Sequence, residues 1–110
     1  SRFVNRFSGA FTAAYKENFS TGNAVYDLQH ISYLKSDDAI AMSFYRSFEE
    51  SAGILKFKLF SVERPLVLSE VIPLLENLGL KVMSEHPYVV TDRDEKQYWI
   101  SDFRVRYRHH

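Results

Sequence analysis

The side chains able to do chemistry in this sequence are few, and none has the spacing that an active site needs. His30 and His86 lie far apart without the spacing of metal ligands, which favours surface or capping roles over catalysis. The acidic pairs Asp37-Asp38 and Glu49-Glu50 fall in predicted turns, where solvated charges are commoner than acid–base pairs. The four glycines are isolated, so no Gly-x-Gly-x-x-Gly turn can cradle a nucleotide. We therefore predict no catalytic residue, no metal site and no cofactor site in this chain.

Basic side chains recur at every second position of two predicted strands. They are Lys56 and Lys58 on the first strand, and Arg104, Arg106 and Arg108 on the second. A solvated face is the first interpretation. The alternative is contact with an anion or a neighbouring domain, because arginine holds a carboxylate through two parallel hydrogen bonds. Asp102 lies in the same strand as Arg104, and it either pairs with a neighbouring arginine or binds the ammonium group of an amino acid.

A predicted helix near residue 70 is a second candidate binding element. Ser69 is a good N-cap, and the apolar spacing from Val71 to Leu78 gives one buried stripe. Pro73 would then be at about the fourth helical position, and Gly79 suits the left-handed residue after the helix. Free N–H groups at such a helix start suit a carboxylate. The candidate residues for contact with an effector or a neighbouring domain are Ser69, Glu70, Asp102 and Arg104.

Hydrophobic periodicity predicts an α+β domain that contains these residues. The predicted helices are Phe3 to Asn18, Ala24 to Leu34 and the Ser69 helix, and the predicted strands are Ile40 to Phe44, Leu55 to Leu59, Leu80 to Val90 and Trp99 to Val105. After the first helix the order is αββαββ, which results from moving the first strand of a ferredoxin-like βαββαβ domain to the end. We predict a circularly permuted ferredoxin-like sandwich, with a four-stranded antiparallel sheet, Trp99 to Val105 in the centre and two helices on one face.

Composition narrows the class of protein further. Fourteen basic residues balance fourteen acidic ones, so no overall field draws in nucleic acid or an anionic membrane. The chain has no cysteine, which excludes thiol catalysis and favours a reducing, cytoplasmic location. We predict a helical arm or linker at 1–19, the α+β domain at 20–108 and a possible tag remnant at 109–110. Because the chain begins with Ser1 in a helical pattern, we expect a piece of a longer protein.

Six short segments together carry a family resemblance. They are 13–20, 24–28, 55–60, 68–82, 85–88 and 99–103. Segment 68–82 is similar to Leu-Ser-Asp-Val-Leu-Pro-x-Leu-Glu-Asn-x-Gly-x-x-Val, and segment 13–20 to Ala-Ala-Tyr-Lys/Arg-Glu-x-Phe-Ser. Both patterns are those of the large bacterial NAD-specific glutamate dehydrogenases. The chain departs from that family at His86, where arginine is usual, and at Ser101, where histidine is usual.

The resemblance implies an ACT-like domain from the long N-terminal half of such an enzyme. Such a domain would be non-catalytic and would serve assembly or allosteric control. The parent would bind NAD, elsewhere in the chain, and would convert L-glutamate to 2-oxoglutarate and ammonia. Its expected partners are other domains and subunits of a homo-oligomeric parent and a small amino-acid effector, with no nucleic acid and no membrane.

Two alternatives from other classes remain open at this point. One is a stand-alone amino-acid sensor of the ACT type. The other is a ferredoxin-like RNA-binding module, in which aromatic side chains between Tyr98 and Tyr107 would stack on bases. The segment Leu55 to Phe60 lacks the glycine of the usual RNA-binding pattern, which counts against the second alternative.

Overall fold

A computed structural model of the chain describes residues 9–34, 36, 37, 39–45 and 53–107. The elements in these residues are α1 (Ala13–Asn18), α2 (Thr21–Ser32), β1 (Ile40–Tyr45), β2 (Ile54–Val62), α3 (Leu68–Asn77), β3 (Leu80–Thr91) and β4 (Gln97–Tyr107). The strands form one antiparallel sheet in the order β1-β2-β4-β3. The α+β class, the four-stranded antiparallel sheet and the central place of the last strand are thereby confirmed. The circular permutation stays an interpretation.

The two longer helices pack on opposite faces of the sheet, so the prediction that they share one face is wrong. Leu28 and Ile31 of α2 pack in one buried cluster with Phe60. Leu75 of α3 packs in a second cluster with Phe57. Phe57 and Phe60 are three residues apart in β2, so their side chains lie on opposite faces of the sheet. We call these the α2 face and the α3 face. Tyr15 of α1 joins the α2 cluster, while the predicted boundary between the arm 1–19 and the domain 20–108 stays a prediction.

The preference for right-handed crossover connections fixes the sheet face of α3 but not that of α2. Strands β2 and β3 are each antiparallel to β4 and hence parallel to one another, so β2–α3–β3 is a crossover whose right-handed form selects one face. In the part of the chain that the structure describes, no strand precedes α2. The handedness rule therefore does not apply to α2, and its position is set by the packing of its apolar side chains on the sheet.

The predicted helix from Phe3 to Asn18 is not continuous. Gly9 has a φ of 74°, and Phe11 pairs with Val90 in an isolated β-bridge, so the backbone from Gly9 to Phe11 is not helical. Thr12 caps α1 by accepting a hydrogen bond from the backbone N–H of Tyr15. The helical periodicity of the aromatic residues there does not reflect one continuous helix. Its first members, residues 3 and 7, lie outside the described residues.

The start of α3 also differs from the prediction. Val67 is the N-cap and makes no side-chain hydrogen bond, so Ser69 is the second helical residue rather than the cap. Leu68 packs against the α3-face cluster from the first helical position. Leu68 is only half-buried, so its packing contributes a part of the about 1.5–3 kcal/mol of full leucine burial, which is comparable with the about 1 kcal/mol of a side-chain cap. Gly79 has the expected left-handed conformation, with a φ of 87°.

Strand β2 departs from the predicted alternation of one buried and one solvated face. From Phe57 to Val62 every residue is buried, because helices cover both faces of the sheet. Strand β3 lies at a sheet edge and bulges between Val82 and Ser84, and a sheet edge is where a proline such as Pro87 is tolerated. The predicted turn at Glu49-Glu50 lies outside the described residues. In the described part of the chain, no helix is long and apolar enough to cross a membrane.

Candidate functional site

A row of polar side chains crosses the α2 face of the sheet from one edge to the other. Strand register aligns Ser43 of β1, Lys58 of β2, Asp102 of β4 and His86 of β3. Lys58 is 3% exposed and Asp102 is 7% exposed. Lysine and aspartate are almost never buried to this extent unless they are paired. The partners of these two residues therefore define the site.

Lys58 forms a buried ion pair with Asp27, which reaches it from α2. The Nζ atom of Lys58 lies 2.7 Å from Oδ2 of Asp27, and Asp27 is 1% exposed. The Tyr15 hydroxyl, brought by α1, donates a hydrogen bond to the same oxygen. Burial and the neighbouring Asp27 carboxylate both raise the pKa of Tyr15, so the phenol stays protonated and donates. The network thus ties α1, α2 and β2 together.

Aromatic rings enclose the ammonium group of Lys58. Its Nζ lies 3.7 Å from the ring centroid of Phe19 and 5.1 Å from that of Tyr45. Phe19 follows α1 directly, so the tight connection to α2 carries this ring over the sheet. Cation–π contacts with desolvated rings offset part of the cost of burying the charge. This lysine is therefore held as a structural charge.

Asp102 has its own phenol partner. The Tyr45 hydroxyl donates a hydrogen bond to Oδ1 of Asp102. Burial raises the pKa of the Asp102 carboxyl, and the hydrogen bond from Tyr45 and the cations Lys56, Lys58 and His86 oppose that rise. Asp102 thus accepts a hydrogen bond from Tyr45 and has basic side chains around it, and which of its two expected roles it serves stays a prediction.

A cavity of about 290 Å³ opens beside Asp102, which is enough room for a small metabolite. It is lined by Asn18, Phe19, Lys56, His86, Tyr88 and Asp102. A larger cavity of about 490 Å³ lies nearby, lined by Phe11, Tyr15, Lys16, Phe19, Ser20, Thr21 and Ala24. The smaller cavity is the better candidate site, because it alone combines a buried carboxylate with basic groups.

The raised pKa of Asp102 predicts a pH-dependent contribution to stability. The folded state favours the protonated carboxyl, so this contribution is fully present below the unfolded pKa of about 3.9 and is lost as pH rises through the folded pKa. The free energy of unfolding of the wild type, relative to Asp102→Asn, should therefore fall from about pH 4 towards neutrality. Urea unfolding of both proteins across that range measures the difference. A constant difference, or one that grows with pH, would contradict the burial of this charge.

The four candidate residues named from the sequence fall into two separate groups. Asp102 and Arg104 share the α2 face of β4, and the Nη1 atom of Arg104 lies 3.8 Å from Sδ of Met83. Ser69 and Glu70 are exposed on α3, which covers the other face of the sheet. The structure therefore does not bring the two groups together. Lys58 is buried and paired, so the first interpretation of the Lys56–Lys58 face as solvated is wrong.

Sequence reasoning missed Asp27, although a signal was present. Asp27 follows Ala24 by three residues and precedes Ile31 by four, so it occupies the apolar stripe of α2. A carboxylate at a core-facing position needs a buried cation, and Lys58 supplies it. The aromatic partners Tyr15 and Tyr45 gave no such signal, because tyrosine is common in cores. In the described residues, no group of three or more His, Cys, Asp or Glu side chains could hold a metal ion.

Comparison with known proteins gives consistent matches along the chain. The family model for the glutamate dehydrogenase ACT3 domain matches residues 39–110, and that for glutamate dehydrogenase helical motif 2 matches residues 1–34. The NAD-specific glutamate dehydrogenase of Halomonas elongata is 47% identical over 104 residues, which cover 94% of this chain and 6% of that protein. That of Pseudomonas aeruginosa is 42% identical over 101 residues, or 92% of this chain and 6% of that protein. The chain thus spans a small part of the length of these curated relatives.

Proposed function

The chain belongs to the glutamate dehydrogenase ACT3-domain family, and from that premise we propose that it is a non-catalytic regulatory domain that binds a small zwitterionic effector. The parent enzyme would carry the hydride chemistry in another domain, oxidising L-glutamate to 2-oxoglutarate and ammonia with NAD. The relatives' name, NAD-specific glutamate dehydrogenase, supports this role for the parent.

The observation that carries the proposal is the charge arrangement of the 290 Å³ cavity. Asp102 presents a nearly buried carboxylate, while Lys56 and His86 line the same cavity. The Asp102 carboxylate disfavours a simple anion in this cavity, and Lys56 and the His86 imidazole disfavour a simple cation. A free amino acid carries both charges, so its ammonium group can face Asp102 while its carboxylate faces the basic groups. Asn18 and the Tyr88 hydroxyl, 3.1 Å apart, supply further polar groups.

Ligand-induced thermal stabilisation tests the proposal. Glutamate, aspartate, other amino acids and 2-oxoglutarate would be added to the wild type at millimolar concentration. A ligand at about 100 times its Kd adds roughly 2.7 kcal/mol of stability. In a domain of this size, that corresponds to a rise in Tm of about 10 °C or more. We expect one or two amino acids to produce such a shift, and 2-oxoglutarate to produce none because it lacks the ammonium group.

Two asparagine substitutions provide a matched pair for this experiment. Asp102→Asn removes the negative charge from the cavity and should weaken amino-acid binding at least tenfold. Asp37→Asn makes the same chemical change at an exposed aspartate, whose contact is with Lys96 at 3.6 Å, and should leave binding unchanged. An equal shift with 2-oxoglutarate would indicate an anion site instead. No shift with any compound would favour the purely scaffolding role.

The scaffolding role has its own supporting observation, the buried network of Tyr15, Asp27 and Lys58, which joins the helical segment to the sheet. The RNA-binding alternative finds less support. Tyr98 and Phe103, two aromatic side chains on which it depended, are almost completely buried, and a buried ring cannot stack on a base. The stand-alone sensor would require a parent gene without a dehydrogenase domain, which sequencing of the flanking gene decides.

A further inference from the structure

An apolar stripe lies exposed on the α3 face of the sheet, along strand β1 and at the start of strand β2. It consists of Ile40, Met42, Phe44 and Leu55, which are 60%, 45%, 60% and 40% exposed. Strand register places the first three opposite Ser61, Leu59 and Phe57 of β2, and these three partners are buried. Helix α3 packs against β2, β3 and β4 on this face, and the cluster it forms in the described residues contains no side chain of β1. The stripe therefore continues the apolar core beyond the edge of its covering helix.

Within its described residues, strand β1 lacks the charges, the proline and the bulge that commonly protect an edge strand. Its sequence Ile-Ala-Met-Ser-Phe-Tyr contains no charge and no proline, although it lies at the edge of the sheet. Edge strands of soluble proteins commonly carry lysine, proline or a bulge, because a neutral apolar edge pairs readily with other chains. The opposite edge, β3, has both a bulge and Pro87. The contrast indicates that β1 is covered in the assembled protein.

We propose that an apolar surface from another domain of the same parent polypeptide packs on this stripe. The relatives are far longer than this chain, which covers 6% of their length, so most of the parent lies outside it. A separate second copy fits less well. A stable independent interface takes roughly 20–30 residues from each partner, and the stripe has four. A partner tethered in the same chain acts at an effective concentration in the millimolar range, and a small patch then suffices.

A photo-cross-linker at position 44 of the full-length parent enzyme tests this inference. Phe44 would be replaced by p-benzoyl-phenylalanine, and the cross-linked peptides would be identified by mass spectrometry in a mixture of ¹⁴N- and ¹⁵N-labelled protein. We expect a link to a peptide outside residues 1–110, within one isotopic label. As control, the same cross-linker at Tyr33, which is 78% exposed, should give at most a tenth of that yield.

Three outcomes would overturn the inference. The first is a cross-link between the two isotopic labels, which would mean that a second subunit covers the stripe. The second is cross-links only within residues 1–110, and the third is a cross-link yield no higher than at Tyr33. A second variant guards against local unfolding caused by the probe itself. Ile40→Lys, which places a charge on an already exposed side chain, should lower the cross-link yield at position 44 about tenfold. Effector binding is measured separately, so failure here leaves the proposed function standing.

Discussion

Replacing Asp27 by alanine is expected to destabilise the domain by about 3–5 kcal/mol. The substitution leaves the Lys58 ammonium, 3% exposed, without its ion-pair partner at 2.7 Å, and it also removes the acceptor of the Tyr15 hydroxyl. Stranding a buried charge costs this much because the lysine must be desolvated without compensation, or else give up its proton. Urea unfolding followed by circular dichroism measures the loss.

Two further variants distinguish the effect of breaking the ion pair from the effect of losing an aspartate side chain. Asp37→Ala changes an exposed aspartate and should alter the free energy of unfolding by no more than about 0.5 kcal/mol. The double variant Asp27→Leu with Lys58→Met removes both charges and should regain most of the stability lost in Asp27→Ala, since apolar replacements of buried ion pairs are often neutral or stabilising. Equal effects of Asp27→Ala and Asp37→Ala would show that Lys58 reaches solvent.

Alanine substitutions at two phenylalanines of the same sheet face should differ several-fold in their effect. Phe103 is fully buried and its ring stacks on Phe57 at 5.1 Å, so Phe103→Ala should cost about 3–5 kcal/mol in lost burial and cavity formation. Phe44 is 60% exposed, and its ring centroid lies 5.7 Å from that of Phe57. In the isolated domain Phe44→Ala should therefore cost about 1 kcal/mol or less.

The same pair of variants shows whether the apolar stripe is covered in the parent. Thermal unfolding of the full-length enzyme should reveal a larger loss for Phe44→Ala than the isolated domain shows, whereas the loss for Phe103→Ala should be similar in both. An equal loss for Phe44→Ala in the two proteins would mean that nothing packs on β1. Equal losses for the two variants in the isolated domain would contradict the burial pattern of this face.

Local patterns were sufficient to identify most of the secondary structure. Period-two alternation located all four strands, because a strand places successive side chains on opposite sides regardless of what covers them. Gly79 marked the end of α3, since only a residue tolerant of positive φ suits that position. The main error in the predicted secondary structure was one continuous helix from Phe3 to Asn18. Gly9 and the bridge between Phe11 and Val90 interrupt it, and the second of these is a contact across the fold.

The sequence by itself determined the fold class and the family, and it named Asp102 and Lys56, two of the side chains that line the candidate cavity. Only the tertiary structure decided which face of the sheet each helix covers, and with that the environment of every charge between them. Lys58 has the same local pattern as a solvated lysine, and its burial results from α2 bringing Asp27 and from Phe19 closing over it. Sequence periodicity reports which side of an element is apolar. It does not report what lies opposite, because that depends on residues far away in the chain.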